Sequence, residues 1–530
     1  MRVLALFAIA LLLAGCLSNG SDDGKTPEPA APGTGANGAA DWYARALASD
    51  GDGHDHQDWK VHQNLTTPNF QELAWDPLGI AAFGGVTAGG YFCGGAATTA
   101  EGRRLTVISS LDTSVSFVVV DVTDPAHPVH LGDYILDNEQ TYDVDITPDG
   151  KHVVIGANVG PGQPAPSGGG PVTGLLEDVK ETVTLRQSFR DGCTGTIHRG
   201  PDQQVAAGPS TILVSLADPT APAFEDIVPM PVIGPHSVST ADIDGTTYVA
   251  SSITNLAHPA SYYVFSQIID LPLVGTSKIV PVSVFDASLG GDPTALVNGH
   301  MDAEIAKHPV TGQPVVYLSN WDGGLQILDF SIPQAPIPLG AWADTGASNG
   351  QLHSTRSLEG VHDGHHYLLA GQEFTSHPDN RPSGWIYILD DTDPSNIVEV
   401  GRWTLPVDVQ QEWYGIELFS THYFRVLNDT VFVAMYHGGV WAFKLDFANP
   451  QNMATPPSVG VFVPDKYPTN GRVLGAPGSY DYAPFVLDVF PFEDSTLTVF
   501  DGLSGVYTLK YDPSKDMPAP EPWPAEGRQL

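Results

Sequence analysis

Gly323-Gly324-Leu325-Gln326-Ile327-Leu328-Asp329 runs on through Phe330-Ser331-Ile332 to Pro333. The apolar and β-branched residues make a short strand. Asp followed closely by Pro then ends it: the carboxylate caps the turn, while the proline fixes φ and removes a ladder donor. Another strand follows at once in Pro338-Leu-Gly-Ala-Trp342. The same plan recurs in Phe117-Val-Val-Val-Asp121 through Pro125, Ile212-Leu-Val-Ser through Pro219, and Ile386-Tyr-Ile-Leu-Asp390 through Pro394. Weaker copies end at Asp270-Leu-Pro272, Asn449-Pro450 and Asp512-Pro513, which brings the marks to seven.

Upstream of the marks lie hairpins, such as Tyr142 to Asp149-Gly150 to Ile155, and Ser237 to Asp244-Gly245 to Val249. Asp-Gly between apolar residues is a strong hairpin signal. Four strands therefore recur every roughly 45–70 residues, with almost no helical periodicity, as blades of a propeller do. The expected fold is all-β: a seven-bladed β-propeller of four-stranded antiparallel blades over 59–515. In the last unit, Phe485–Phe490, Leu497–Phe500 and Val506–Lys510 supply three strands. An N-terminal strand, placed at residues 59–67, is expected to complete that sheet and protect its edge.

Two inserts interrupt the pattern. Residues 158–208 are Gly/Pro-rich with a short helix expected at 174–188, and residues 68–104 read as irregular. Loops joining second and third strands share a face with those leading into the inner strands, and functional inserts gather on such a face.

The run Gly323 to Asp329, with the Asp-Pro endings, resembles the LVIVD-repeat family, whose repeats form β-propellers. The likeness covers most of residues 100–515. It implies a fold and leaves the activity open, because the family is known mainly by its repeat.

The N-terminus speaks to compartment. Arg2 precedes an apolar run, Val3 to Leu13, that is too short for a stable membrane span. It ends in Leu13-Ala14-Gly15-Cys16, which resembles the lipobox of prokaryotic (archaeal or bacterial) lipoproteins. That resemblance implies a signal peptide at 1–15 and lipidation of Cys16; an ordinary cleaved signal with a chance cysteine is the other reading. Residues 16–58, rich in Gly, Ala, Pro and Asp, are expected to form a flexible tether. Residues 516–530 form a Pro-rich tail. Within the tether, Asp52-Gly-His54-Asp-His56 is at most a weak metal scavenger. The expected location is the cell surface, on the extracytoplasmic face of a membrane.

The chain carries 61 acidic and 23 basic residues, for a net charge of −38. Such a balance repels polyphosphate, so nucleic-acid partners are excluded. Of three cysteines, Cys93 and Cys193 remain once Cys16 is lipidated, both in Gly-rich sequence read as loop. They could form a disulfide in an oxidising compartment, or stay unpaired.

One constellation carries candidate chemistry. Histidine stands near the start of the inner strand in four consecutive units: His236, His300, His353 and His422. Inner strands line the central channel, so these positions converge there. Imidazoles suit transition metals, and a shared ion would be copper or zinc. Tyr142 and Asp481 or Tyr482 are expected near the same slot in other units. Propellers of the nitrous oxide reductase and selenium-binding-protein kinds are architecturally similar in placing hub histidines at a metal. The alternative is a scaffold role, each histidine bonding neighbouring backbone. Glu304, Glu373 and Glu417 lie near these strands, either as acid, base or extra ligand or as paired strand-face carboxylates. His362, His365 and His366 flank an Asp-Gly turn and read as solvated, and His437 reads as a turn residue. No His-Glu-x-x-His, phosphate loop or Cys-x-x-Cys is present.

These observations leave two functions. The first is a surface-anchored binding or interaction module, with a protein or small-molecule ligand on the insert-bearing face. The second is an extracytoplasmic, copper-type oxidoreductase using the hub histidines. A polysaccharide-active propeller would need a facing carboxylate pair.

Overall fold

The computed structural model describes residues 66–78, 91–110, 115–136, 139–159, 209–230, 234–253, 262–269, 277–287, 301–321, 323–344, 351–373, 384–405, 420–436, 438–464, 484–502 and 504–517. They form seven four-stranded antiparallel sheets. The first strands of successive sheets are β2 (Tyr91–Thr98), β6 (Glu139–Ile146), β10 (Ser237–Ile243), β14 (Asp302–Lys307), β18 (Leu352–Ser357), β22 (Phe424–Leu427) and β26 (Val486–Pro491). Each packs on the next in that order, and β26 returns to β2, so the ring closes around these seven strands. The expected seven-bladed propeller is what the chain forms.

The third strand of each blade is the repeat mark itself. In blade four it is β16 (Leu325–Asp329), buried along Leu325 to Leu328 on both faces. A sheet covered on both sides by neighbouring blades has no solvent face, and its central strands read as continuous apolar runs. The outer strands, such as β17 (Ile337–Trp342), are largely exposed. The core accordingly lies between blades. Leu369 and Ile388 of blade five join Val431 and Phe443 of blade six in one cluster, where the Trp403 ring stacks on Phe443 at 4.9 Å.

The aspartates of the marks act as the sequence implies. Asp329 Oδ1 accepts from the Ser331 amide at 2.8 Å, Asp121 Oδ1 from Thr123 at 2.9 Å, and Asp390 Oδ1 from Thr392 at 3.0 Å. Each ends its strand in an Asx turn.

Closure differs from expectation in its residues. The completing strand is β1 (Phe70–Asp76), not 59–67, and it pairs antiparallel with β28 (Gly505–Tyr511), from Phe70 opposite Tyr511 to Asp76 opposite Val506. Thr67 and Asn69 instead pin the approach to blade six: the Thr67 amide bonds Val461 O at 2.9 Å and Asn69 Nδ2 bonds Val459 O at 2.8 Å. Apolar spacing alone cannot choose between neighbouring candidate edge strands. Residues 68–104, read as irregular, hold β1 and β2, and Cys93 lies in the latter strand rather than a loop. Cys93 is a free, buried thiol. Cys193, the 158–208 insert apart from its first two residues, the leader and tether (1–58), and nearly all of the tail lie outside the described residues. Among those described, no helix is long and apolar enough to cross a membrane.

Candidate metal centre at the channel mouth

The histidine slot is a β-bulge. His353 is the extra residue between Leu352, opposite Gln372, and Ser354, opposite Gly371. The same irregularity falls before Gly94 in β2, before Asp143 in β6 and before Asp488 in β26. A bulge re-aims side chains and often lies beside a functional site. Where no shift interrupts the ladder, a shared hydrogen bond marks the slot. His236 N reaches Ser252 O at 2.7 Å, His422 N reaches Ala434 O at 2.9 Å, and Met301 N reaches Ser319 O at 3.0 Å.

Around the ring the slot therefore carries Tyr142, His236, Met301, His353, His422 and Leu487, while in blade one Phe92 and Cys93 both fall between Tyr91, opposite Ser110, and Gly94, opposite Ile108. His236, His353 and His422 occupy it as the sequence indicated. Blade four departs: Met301 holds the slot, and His300, one residue earlier, lies outside the described residues. In the last blade the slot belongs to Leu487 rather than Asp481 or Tyr482.

Two of the histidines meet. The rings of His353 and His422 lie 4.3 Å apart, centroid to centroid, and both are 2 % exposed. The Tyr423 ring stands edge-on to each, at 5.0 and 4.9 Å. Glu373, just past the second strand of blade five, brings Oε2 to 3.7 Å from His353 Nε2. His353, Glu373 and His422 each offer a donor atom, all within 4.8 Å of one another.

Hydrogen bonds orient this set as a metal requires. His422 Nδ1 donates to Leu487 O at 2.9 Å, which fixes the tautomer that carries its lone pair on Nε2. The Tyr436 hydroxyl donates to Glu373 Oε1 and leaves Oε2 to face His353. His353 Nδ1 is buried with no hydrogen-bond partner among the described residues. A buried polar atom without a partner costs free energy, and an unseen ion is one way such a cost is relieved.

Burial sets the charge states. It pulls His422 down to about 3 and His236, which is half-buried, to about 4. His353 falls well below the usual imidazole range, through burial first and then the positive charges of His422, His236 and Arg356. Neutral imidazole is the ligating form. Burial also pushes Glu373 up to about 7, against the Tyr436 hydrogen bond.

Below the slot the channel is ionic. Asp302 accepts from Arg356 and Asp488 from Arg425, both at 3.0 Å, while Asp143 and Asp145 accept the Val238 and Thr240 amides of the next blade at 3.0 and 2.7 Å. Glu304 accepts the Ser357 amide at 2.6 Å. Five carboxyl groups face two guanidiniums here, and burial raises Asp143, Asp145, Glu304 and Asp488 above the usual carboxylate range.

A second cluster, His308, His366 and Asp391, is fully buried between blades four and five and was not foreseen. It fails as a metal site on its tautomer. His308 Nδ1 accepts the Thr311 amide at 3.2 Å, so Nε2 carries the hydrogen and donates to Asp391 O at 2.9 Å, with no lone pair left. It is a structural bracket. His366, read as solvated, is buried here, with Nδ1 2.6 Å from Asp391 Oδ1. His365 is solvent-exposed as expected, whereas His362 is half-buried with its ring stacked on Phe447. Glu417 and His437 lie outside the described residues.

No protein-family model matches the chain, and no curated protein does. Among solved structures, the crystal structure of Saccharomyces cerevisiae Sqt1 is similar at 10 % identity, with a TM-score of 0.45, covering 85 % of this chain and 99 % of that one. The WD40 β-propeller domain of Doa1 is similar at 10 % identity and a TM-score of 0.43, over 84 % and 99 %.

Proposed function

We propose that this chain is an extracytoplasmic, LVIVD-type propeller that binds a transition-metal ion at the mouth of its channel, through His353, Glu373 and His422. Supporting this reading, three buried donors converge, a hydrogen bond orients each of His422 and Glu373, and His353 Nδ1 is buried with no hydrogen-bond partner among the described residues. Three protein ligands leave a coordination position for an exogenous group, the arrangement used by catalytic rather than structural ions. A copper-type oxidoreductase is the activity this favours. His236 stands at the rim, near enough for its charge to be felt by both buried imidazoles.

The leader motif supports anchoring through Cys16, with residues 16–58 holding the ring clear of the membrane. The interaction-module reading ranks second, since the exposed apolar residues Val129, Ile337 and Val398 recur at outer-strand starts and select no particular partner.

Elemental analysis of the full chain, purified without chelators and again after metal reconstitution, tests the proposal. The expected result is about one ion per chain, lost in His353→Ala and His422→Ala. Equal, near-zero metal in all samples would overturn it. Release of the chain from the membrane fraction by Cys16→Ala would support the anchor, and retention would refute it.

A further inference from the structure

Resting on that metal-binding reading, we infer that the mouth face of blades four and five binds a neutral, hydroxyl-rich ligand, an oligosaccharide, and presents it to the metal centre. The surface is made of tryptophan. The indole N–H groups of Trp75, Trp403 and Trp441 donate to protein oxygens at 2.8, 2.9 and 3.0 Å. Those of Trp321, Trp342 and Trp385 make no hydrogen bond among the described residues, and all three side chains are half-buried. All three fall at strand ends on the face that holds the metal centre. Trp321 lies just past the second strand of blade four, Trp342 ends its fourth, and Trp385 comes just before the third strand of blade five. Trp321 and Leu352, which precedes His353, exchange both backbone hydrogen bonds at 3.0 Å. Trp342 and Trp385 pack on one cluster between the two blades, with the Tyr387 ring 4.8 and 6.0 Å from theirs.

Unpartnered amides among the tryptophans are the second sign of a ligand. Gln372 is wholly buried, yet neither atom of its side-chain amide has a hydrogen-bond partner among the described residues. Strand alternation puts it on the side of its sheet that Leu368 and Ala370 turn towards blade four, and its backbone N–H donates to Trp385 O at 2.8 Å. Asn320, beside Trp321, leaves its Nδ2 unpartnered. Gln351, whose carbonyl accepts the Glu373 amide at 3.1 Å, leaves its Oε1. Such groups call for both donors and acceptors, and hydroxyls supply both. Indole faces cover the C–H side of a sugar ring while their N–H groups reach its oxygens. A proline-rich segment, another ligand of aromatic grooves, lacks the N–H donors that the two glutamine oxygens require. No charge is asked of the ligand: Arg402, 4.4 Å over the Trp385 ring, is already matched by Glu399 at 2.7 and 2.9 Å. The row runs outward from the hub over strands about 4.8 Å apart, which suits a chain of rings better than a single one.

The test titrates the full, metal-reconstituted chain with cellohexaose, maltohexaose and chitohexaose, and with a proline-rich peptide, read by calorimetry and tryptophan fluorescence. The expected outcome is saturable binding of at least one hexasaccharide, with a change in tryptophan emission, and no binding of the peptide. Trp342→Ala and Trp385→Ala should each weaken that binding by about tenfold or more and leave metal content unchanged. Gln372→Leu removes the unpartnered amide at nearly constant volume. It should weaken sugar binding without lowering the unfolding midpoint, whereas a residue that only packs would leave binding unchanged. Binding of no hexasaccharide, binding of the peptide in their place, or sugar binding that both tryptophan variants retain would overturn the site. Sugar binding by a chain that takes up no metal would overturn the metal-binding reading and leave the sugar site standing. The wild-type titration decides even where a variant folds poorly.

Discussion

Gly340, in the outer strand of blade four, meets the carbonyl oxygen of Pro394 in the turn of blade five so closely that a β-carbon would lie 2.0 Å from it. Two parts of the repeat mark, the Asp-Pro turn and the outer-strand glycine, are thus the two sides of one contact between blades. The same pairing joins Gly132 to Pro219 and Thr220. Gly340→Ala is expected to force backbone apart and cost on the order of 1–3 kcal/mol. Denaturant unfolding should show a lower midpoint, with metal content per folded chain unchanged. An unshifted midpoint would mean that this contact carries no stability.

Much of this was legible in the sequence, for physical reasons that also mark its limits. Strands buried on both faces announce themselves as apolar runs, and Asp-Pro turns punctuate them, so blade count and strand order followed from the repeat. Cys93 was read as loop because Gly94 and Gly95 follow it, although it lies in a strand. Gly94 is small for another reason: a β-carbon there would fall 1.9 Å from Val107 O. The slot in blade four was misplaced by one residue because its register is set by which amide bonds across the strand, here that of Met301 to Ser319 O. A histidine one position early looks the same in a motif. Glu373 reaches the centre from the far end of a second strand, and pattern alone could not rank it above Glu304. His366 follows an Asp-Gly turn, yet Asp391, just past the third strand of its own blade, and His308, just past the first strand of blade four, pack against it, and that tertiary fact has no local signature.

The bracket between blades four and five should be structural only. Asp391 Oδ2 accepts the Tyr317 hydroxyl at 3.0 Å, its Oδ1 faces His366, and its backbone carbonyl takes the His308 proton. Burial alone would raise the Asp391 carboxyl, but contacts from His308 and His366 hold it below the usual range. Asp391→Ala strands buried polar groups on both blades and is expected to cost on the order of 3–5 kcal/mol. Metal content of the folded fraction should not change. Loss of the ion at full stability would instead place a ligand in this cluster.

Stability should depend on pH in a way that singles out the channel. Burial pushes Glu304 and Asp488 up to about 7, despite the nearby guanidiniums of Arg356 and Arg425. Between about pH 4 and 7 the folded protein binds protons there that the unfolded chain has released. Their contribution is therefore complete below about pH 4 and is lost as pH rises through about 7. Asp494 behaves oppositely: burial opposes its charge, but Thr496 and Arg104 hold it down at about 2, so its contribution is lost as pH falls below about 4. The metal-free protein is expected to be most stable near about pH 4, and Asp488→Asn should flatten the decline between about pH 4 and 7. A wild-type optimum above pH 7 would show these carboxylates to be charged in the folded state.

Tyr436 offers the sharpest separation between a metal ligand's support and ordinary packing. Its hydroxyl donates to Glu373 Oε1, while its ring stacks on Phe485 at 4.7 Å and lies 5.2 Å from that of His422. Its backbone takes a left-handed φ of 47°, matched by 48° at Trp321 in the equivalent turn of blade four. The strained conformation therefore belongs to the repeat, whereas the hydroxyl is particular to this blade. Tyr436→Phe keeps ring, turn and packing and removes only the proton donor to Glu373. Outer-shell partners of this kind are worth about 10–100-fold in metal affinity. The variant is expected to lose that much affinity, measured by chelator competition, with little change in its unfolding midpoint. Unchanged affinity would remove Glu373 from the ligand set, because a carboxylate on the ion must feel the loss of the bond that orients it.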